Sequence, residues 1–302
     1  NAAFGFAFIG LALVGIVPLS GRLTRDLSTL SEGVRRIAAG DYRARVELQA
    51  NDEIGKLARA FNQMAADVEQ HQRAAVGQER IRRELELGRQ IQHDMLPHSP
   101  LVLGLTEVQG VSVPAREVGG DFFRVLSAPD DGTLVVIGDV SGKGLRAAML
   151  ASVLVGALLN RRSSDPPDVL AELNTAILGQ VDNGFVTCCA MLLEPSGRVT
   201  IASAGHPSPC CGGMELEAPP GLPLGISEEA RYESVTFQMS PAEQIALVSD
   251  GVAEATNSRG ELFGFERTQA LSRQSAGEIA DAATAWGQSD DITVMTLRSV
   301  PV

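Results

Sequence analysis

Apolar residues fall along this chain in successive patterns, and each pattern predicts a different element. Residues Asn1 to Gly21 carry no charge, and Ala2 to Val17 are nearly all apolar. A helix of that length reaches about 31 Å, the thickness of a hydrocarbon core, so a transmembrane helix is expected over 1–21. A signal peptide would place its basic residues before the apolar run. Here Arg22, Arg25, Arg35 and Arg36 follow it, which puts the remainder on the cytoplasmic side of the inner membrane. The chain opens without Met, and the expectation is a single or last membrane helix with an extracytoplasmic sensor ahead of it.

The spacing then becomes heptad-like. Leu23, Leu27, Leu30, Val34 and Ile37 form one seam, and Ile54, Leu57, Phe61, Met64 and Val68 form a second after a break at Gly40-Asp41. Such stripes pack as coiled coils. Each is too short to stand alone, so the two should pair with each other and with a second copy of the chain. Residues 71–97 are highly charged and carry a looser stripe of Ile81, Leu85, Leu87, Ile91 and Met95; Pro97 and Pro100 end it. This reads as a linker helix that continues the dimer contact.

From about residue 101 the period shifts again. Thr133 to Ile137 is a buried-strand run, Gly144 to Asn160 an apolar helix, and Pro166 to Val181 a second helix with proline in its first turn. Strands are expected at Phe185–Leu193, Arg198–Ser203, Tyr232–Met239, Gln244–Val248 and Ile292–Leu297. Many strands with helices inserted predict an α+β sandwich of face-to-face sheets with helices outside.

Charge narrows the function. The net charge is −12, and residues 98–302 hold 12 basic against 25 acidic side chains. That balance, without a basic run, argues against nucleic-acid binding, which needs phosphate neutralisation. The four cysteines form two vicinal pairs, Cys188-Cys189 and Cys210-Cys211. Strand neighbours point to opposite faces, so these are expected as packing residues in a reducing compartment.

The candidate chemistry lies in four carboxylates at turns beside strand-like runs: Asp121 in Val118-Gly119-Gly120-Asp121-Phe122-Phe123, Asp139 in Gly138-Asp139-Val140-Ser141-Gly142-Lys143-Gly144, Asp250 in Ser249-Asp250-Gly251, and Asp290 in Ser289-Asp290-Asp291-Ile292-Thr293. Oxygen ligands held on short turns suit hard cations such as Mg²⁺ and Mn²⁺.

Two resemblances organise these features. Pro18, the paired seams and Asp52-Glu53-Ile54-Gly55 resemble a HAMP domain over 18–70, a parallel four-helix bundle that relays signals within a dimer. The carboxylate motifs, together with Ser203-Ala204-Gly205-His206-Pro207 and the lead-in Glu84 to Pro97, resemble the SpoIIE-like branch of metal-dependent type-2C (PPM) protein phosphatases. The implied division is a transmembrane helix at 1–21, HAMP at 18–70, a linker at 71–97 and a phosphatase domain of αββα type at 98–302.

By that resemblance Asp139 would bridge two Mn²⁺ or Mg²⁺ ions with the Val140 carbonyl as a further ligand. Asp121, Asp250 and Asp290 would complete the set, and Asp291 would serve if the register slipped. Asp139 and Asp121 would be the catalytic pair. Two cations would neutralise a phosphomonoester dianion and activate a water for attack on phosphorus. The implied substrate is phospho-Ser/Thr on a protein, typically a STAS-type anti-anti-sigma factor. Arg116 and Lys143 are further candidates for phosphate contact, Lys143 equally for holding its loop, and His206 for holding its turn. Arg124 stands where the branch usually carries an aspartate, and Ser141 where eukaryotic members carry a histidine. The alternative reading is a catalytically silent module that docks the same partners. Gly138 and Gly142 with Lys143 miss the P-loop spacing, and Phe122 breaks a GGDEF-type signature.

Overall fold

The computed structural model describes residues 2–48, 52–95, 100–180, 184–241 and 243–299; within its helices the side chains of 2–19, 80, 81, 84, 85, 87 and 91–95 lie outside that description. The chain separates into two compact units, Asn1–Arg83 and Glu84–Val302.

The first unit holds α1 (Ala2–Ala38) and α2 (Glu53–Met95) as far as Arg83. Leu30, Val46, Ala58 and Phe61 form its small core. The connector between the helices is clamped by Asn62, whose side chain accepts from Val46 N–H at 2.8 Å and donates to Val46 C=O at 2.9 Å. Asp52 caps α2 by accepting from the N–H groups of Ile54 and Gly55, both at 3.1 Å. Leu23, Leu27, Val34, Leu57 and Met64, all on the predicted seams, stay exposed in the single chain. Among the described residues no helix is long and apolar enough to cross a membrane. The apolar run expected to do so, Ala2 to Val17, has side chains outside the described residues, as does the stripe Ile81, Leu85, Leu87, Ile91 and Met95.

The second unit is built on two antiparallel sheets. One runs in the order β1 (Leu101–Leu103), β2 (Thr106–Val113), β11 (Ile292–Ser299), β10 (Gln244–Val248), β7 (Cys210–Cys211) and β8 (Met214–Glu215). The other runs β3 (Phe122–Ser127), β4 (Thr133–Val140), β5 (Val186–Leu193), β6 (Arg198–Ala204) and β9 (Ser234–Gln238). Period-2 alternation decides the layers. On β4, Val135 and Ile137 face the interlayer core, with Phe123, Met191, Ile201, Leu247 and Met295. Leu134, Val136 and Val140 face outward, onto α3 (Leu145–Leu159) and α4 (Pro166–Ile177). On the other outer face Val248, Ile292 and Val294 pack under α5 (Asp250–Ala253), α6 (Gly264–Leu271) and α7 (Ala276–Gly287). Each such side chain contributes about 1.5–3 kcal/mol by leaving water. The layers are therefore helix, sheet, sheet, helix, as expected.

Three details differ from the expectation. β1, β2, β7, β8, α5, α6 and α7 carry shorter or weaker patterns and were not among the expected elements, and β3 was expected only as the strand-like run beside Asp121. The strand expected at Tyr232–Met239 is shorter because Tyr232 leaves the ladder and packs into the α3–α4 core. The compact division falls at Arg83–Glu84 and not at 97/98, consistent with the later turns of α2 packing on the second unit: a Cβ on Gly88 would meet Val118 at 3.8 Å.

Candidate metal centre

Antiparallel pairing brings the four motifs to one end of the sandwich. Asp121 immediately precedes β3 and Asp139 lies near the end of β4, where Phe122 pairs with Gly138. Asp250 follows β10 and Asp290 precedes β11, where Val248 pairs with Val294. Ser249 ties the last two turns together: its hydroxyl accepts from Thr293 N–H at 2.9 Å and donates to Asp291 C=O at 3.3 Å.

The two glycine-aspartate motifs are close approaches rather than generic turns. A Cβ on Gly120 would lie 2.8 Å from the Val140 carbonyl oxygen and 3.2 Å from Asp139 Oδ1. That carbonyl and that carboxylate thus look onto one small space, with Asp121 next in sequence. A Cβ on Gly251 would lie 2.0 Å from Asp291 O, so only glycine lets the Asp250 turn sit against the Asp291 backbone.

Electrostatics mark the cluster as short of positive charge. Burial pushes Asp121 well above the usual carboxylate range; Asp139 and Asp291 push it further, against the Thr293 and Ser249 hydroxyls. Asp121 Oδ2 is buried without a hydrogen-bond partner. Burial and then Asp250 raise Asp139 to about 7, a rise that Asp121 opposes by hydrogen bonding to it. Asp250 is raised by burial and by Asp290. Buried, mutually repelling carboxylates with an orphaned oxygen and a backbone carbonyl beside them fit a hard divalent cation in donor chemistry. Among the described residues, however, no three His, Cys, Asp or Glu side chains converge closely enough to form a finished cage.

Lys143 and Asp291 account for part of that openness. Lys143 Nζ lies 2.7 Å from Asp290 Oδ2 and donates to Ser289 C=O at 3.1 Å. Asp291 accepts from Ala115 N–H at 2.8 Å and from Gly120 N–H at 2.6 Å, so its carboxylate orders the loop before Asp121. Arg116 is exposed. Ser141 receives Phe185 N–H on its hydroxyl at 2.8 Å.

His206 holds its turn: its backbone is bracketed by the Ser203 hydroxyl at 3.1 and 3.2 Å, and its ring meets Thr187 Oγ1 at 3.0 Å. Burial lowers its pKa to about 3, so it is neutral. The cysteines are buried free thiols, with burial raising Cys189 to about 12. Glu254, which sequence reasoning passed over, feels Asp250, Asp290 and Lys143. Its signal was its spacing of one helical turn from Asp250.

Comparison with known proteins agrees with this architecture. The family model for Stage II sporulation protein E (SpoIIE) matches residues 129–300, and the HAMP domain model matches residues 19–70. The chain is 29% identical to phosphoserine phosphatase RsbU of Bacillus subtilis over 202 residues, 64% of this chain and 60% of that protein. It thus spans less than two thirds of that relative's length. Among solved structures it is similar to the SiaA-PP2C domain of Pseudomonas aeruginosa, with a TM-score of 0.63 and 23% identity over 74% of this chain and 99% of that one. It is also similar to RsbX in complex with magnesium, with a TM-score of 0.51 and 14% identity over 64% of this chain and 95% of that one. With that sandwich, those turns and a model match over more than half its length, the chain belongs to the SpoIIE family of PP2C-fold (PPM) domains and carries a HAMP domain ahead of it.

Proposed function

We propose that this chain is a membrane-bound signalling phosphatase that removes phosphate from Ser or Thr of a protein, with a STAS-type anti-anti-sigma factor as substrate. The observation that carries the reading is the buried Asp121, with its unpartnered Oδ2, beside the half-buried Asp139 and the Val140 carbonyl. Carboxylates packed this way are costly unless cations neutralise them. Two Mn²⁺ or Mg²⁺ ions, when bound, supply that neutralisation and the Lewis acidity that phosphomonoester hydrolysis needs. Asp121, Asp139, Asp250 and Asp290 with the Val140 carbonyl would hold them. The residues' own work is positional: Asp291 and Ser249 fix the turns, and the rigid sheet ends keep the carboxylates in place. RsbU, the relative named as a phosphoserine phosphatase, supports the substrate class.

Dimerisation through the HAMP and linker helices is supported by the exposed seam of Leu23, Leu27, Val34, Leu57 and Met64, which a second copy would cover. The uncharged stretch over 1–21 supports an anchor in the inner membrane, with the catalytic unit cytoplasmic.

The test is phosphate release from a phosphorylated STAS-type protein by the full chain in detergent, with and without Mn²⁺. Release that requires Mn²⁺ supports the proposal. No release and no Mn²⁺ binding favours the silent docking module instead, whereas Mn²⁺ bound without release from protein or aryl phosphate points to a required upstream activator.

A further inference from the structure

Lys143 sits on a swivel. Its neighbours Gly142 and Gly144 have φ of 102° and 85°, a region that side chains other than glycine rarely adopt. A Cβ on either glycine would meet nothing within 4 Å, so close packing does not fix this stretch. Both flanks are anchored. Ser141 donates its N–H to Phe185 C=O at 2.9 Å and accepts Phe185 N–H on its hydroxyl at 2.8 Å. On the other side α3 begins, with Ala148 N–H reaching Gly144 C=O at 3.1 Å. An exposed lysine is therefore carried by two permissive residues between fixed points. Its ammonium lies at 2.7 Å from Asp290 Oδ2 and acts also on Asp250 and Glu254.

An ammonium at that distance takes up a lone pair of Oδ2 and sets a positive charge where a divalent cation would approach the same oxygen, so the two compete for it. We propose that Lys143 is a tethered counter-ion: in the metal-free chain it neutralises the Asp250–Asp290–Glu254 side of the cluster, and a divalent cation binds there only by displacing it. The loop 141–144 is then the part that moves when the site fills. This rests on the metal-centre reading above and adds a competitor built into the chain.

The geometry makes two demands of opposite sign on one substitution. Removing the ammonium takes away both a competitor for Asp290 and a repelling charge, so metal binds more tightly. The same removal leaves the metal-free carboxylates without their counter-charge, so the metal-free fold is weakened. A lysine that merely braces the loop would weaken both states together.

The experiment uses the full chain in detergent: wild type, Lys143→Met and Asp139→Asn. Mn²⁺ binding is measured by calorimetry, and thermal melting is followed in EDTA. The expected result is Mn²⁺ affinity about 2- to 5-fold higher in Lys143→Met, the range a partly exposed ion pair supplies, with a lower melting temperature in EDTA. A wild type that binds Mn²⁺ beside a Lys143→Met variant with equal or weaker affinity overturns the counter-ion. A wild type that takes up no Mn²⁺, or an Asp139→Asn variant that binds it like wild type, overturns the metal-centre reading and this proposal with it. Lys143→Arg, which keeps the charge, is expected to stay within about 1.5-fold of wild type; an affinity gain matching that of Lys143→Met also overturns it.

Discussion

Asp291 accepts the backbone N–H of Gly120 at 2.6 Å, across 171 residues of sequence. The same carboxylate accepts Ala115 N–H at 2.8 Å. Two adjacent aspartates therefore divide their work: Asp290 faces the cluster and Lys143, while Asp291 fixes the loop that delivers Asp121.

This division predicts different outcomes for the two substitutions. Asp291→Ala leaves two N–H groups without their acceptor and should cost about 1–3 kcal/mol of folding stability, with loss of Mn²⁺ binding as a consequence. Asp290→Ala should keep the fold and weaken Mn²⁺ binding directly. Thermal melts in EDTA beside Mn²⁺ titrations separate the two, and equal melting losses would contradict the assignment.

The close approach at Gly251 gives a second expectation. A Cβ there would lie 2.0 Å from Asp291 O, so Gly251→Ala must push the Asp250 turn away from β11. The expected cost is about 1–3 kcal/mol, typical of forced overpacking, and Mn²⁺ affinity should fall with it. Gly142→Ala is strained by its φ of 102° but meets no neighbour, so it should leave the sandwich core untouched. Urea unfolding of both variants checks this.

Much of the site was legible because its signals are local. Asp121, Asp139, Asp250 and Asp290 each stand in a short turn beside a recognisable strand, and antiparallel pairing then brings them to one end. β4 was legible as an unbroken apolar run because both its faces are covered. β2 was not, because Thr106-Glu107-Val108-Gln109-Gly110 mixes polar residues with a glycine. That glycine is there for packing: a Cβ on it would lie 2.4 Å from the Phe123 ring, a contact invisible along the chain. The role of Asp291 was equally hidden, since its partners at Ala115 and Gly120 are defined only by the fold. Glu254 could have been found by its spacing from Asp250, and the ion pair of Lys143 with Asp290 could not, because it joins two loops 147 positions apart.

The pH dependence of the metal-free chain has a definite sign. Burial, then Asp250, raises Asp139 to about 7 in the fold, whereas an unfolded aspartate titrates near about 3.9. Between those values the folded chain keeps a proton that the unfolded chain has lost. This stabilising contribution is complete below about pH 4 and is lost as pH rises toward about 7. In EDTA the melting temperature should therefore fall from about pH 5 to about pH 7, and Asp139→Asn should flatten that fall. A wild-type melting temperature that climbs across the window contradicts the burial of this carboxyl.

The most direct test of the central claim is Mn²⁺-dependent phosphate release from a small aryl phosphate by the full chain, beside Asp139→Asn. The account predicts turnover that requires Mn²⁺ and drops by roughly a hundredfold or more in the variant, the scale set by removing a preorganised charge from a reaction site. Turnover that persists in EDTA, or that Asp139→Asn leaves intact, would contradict it.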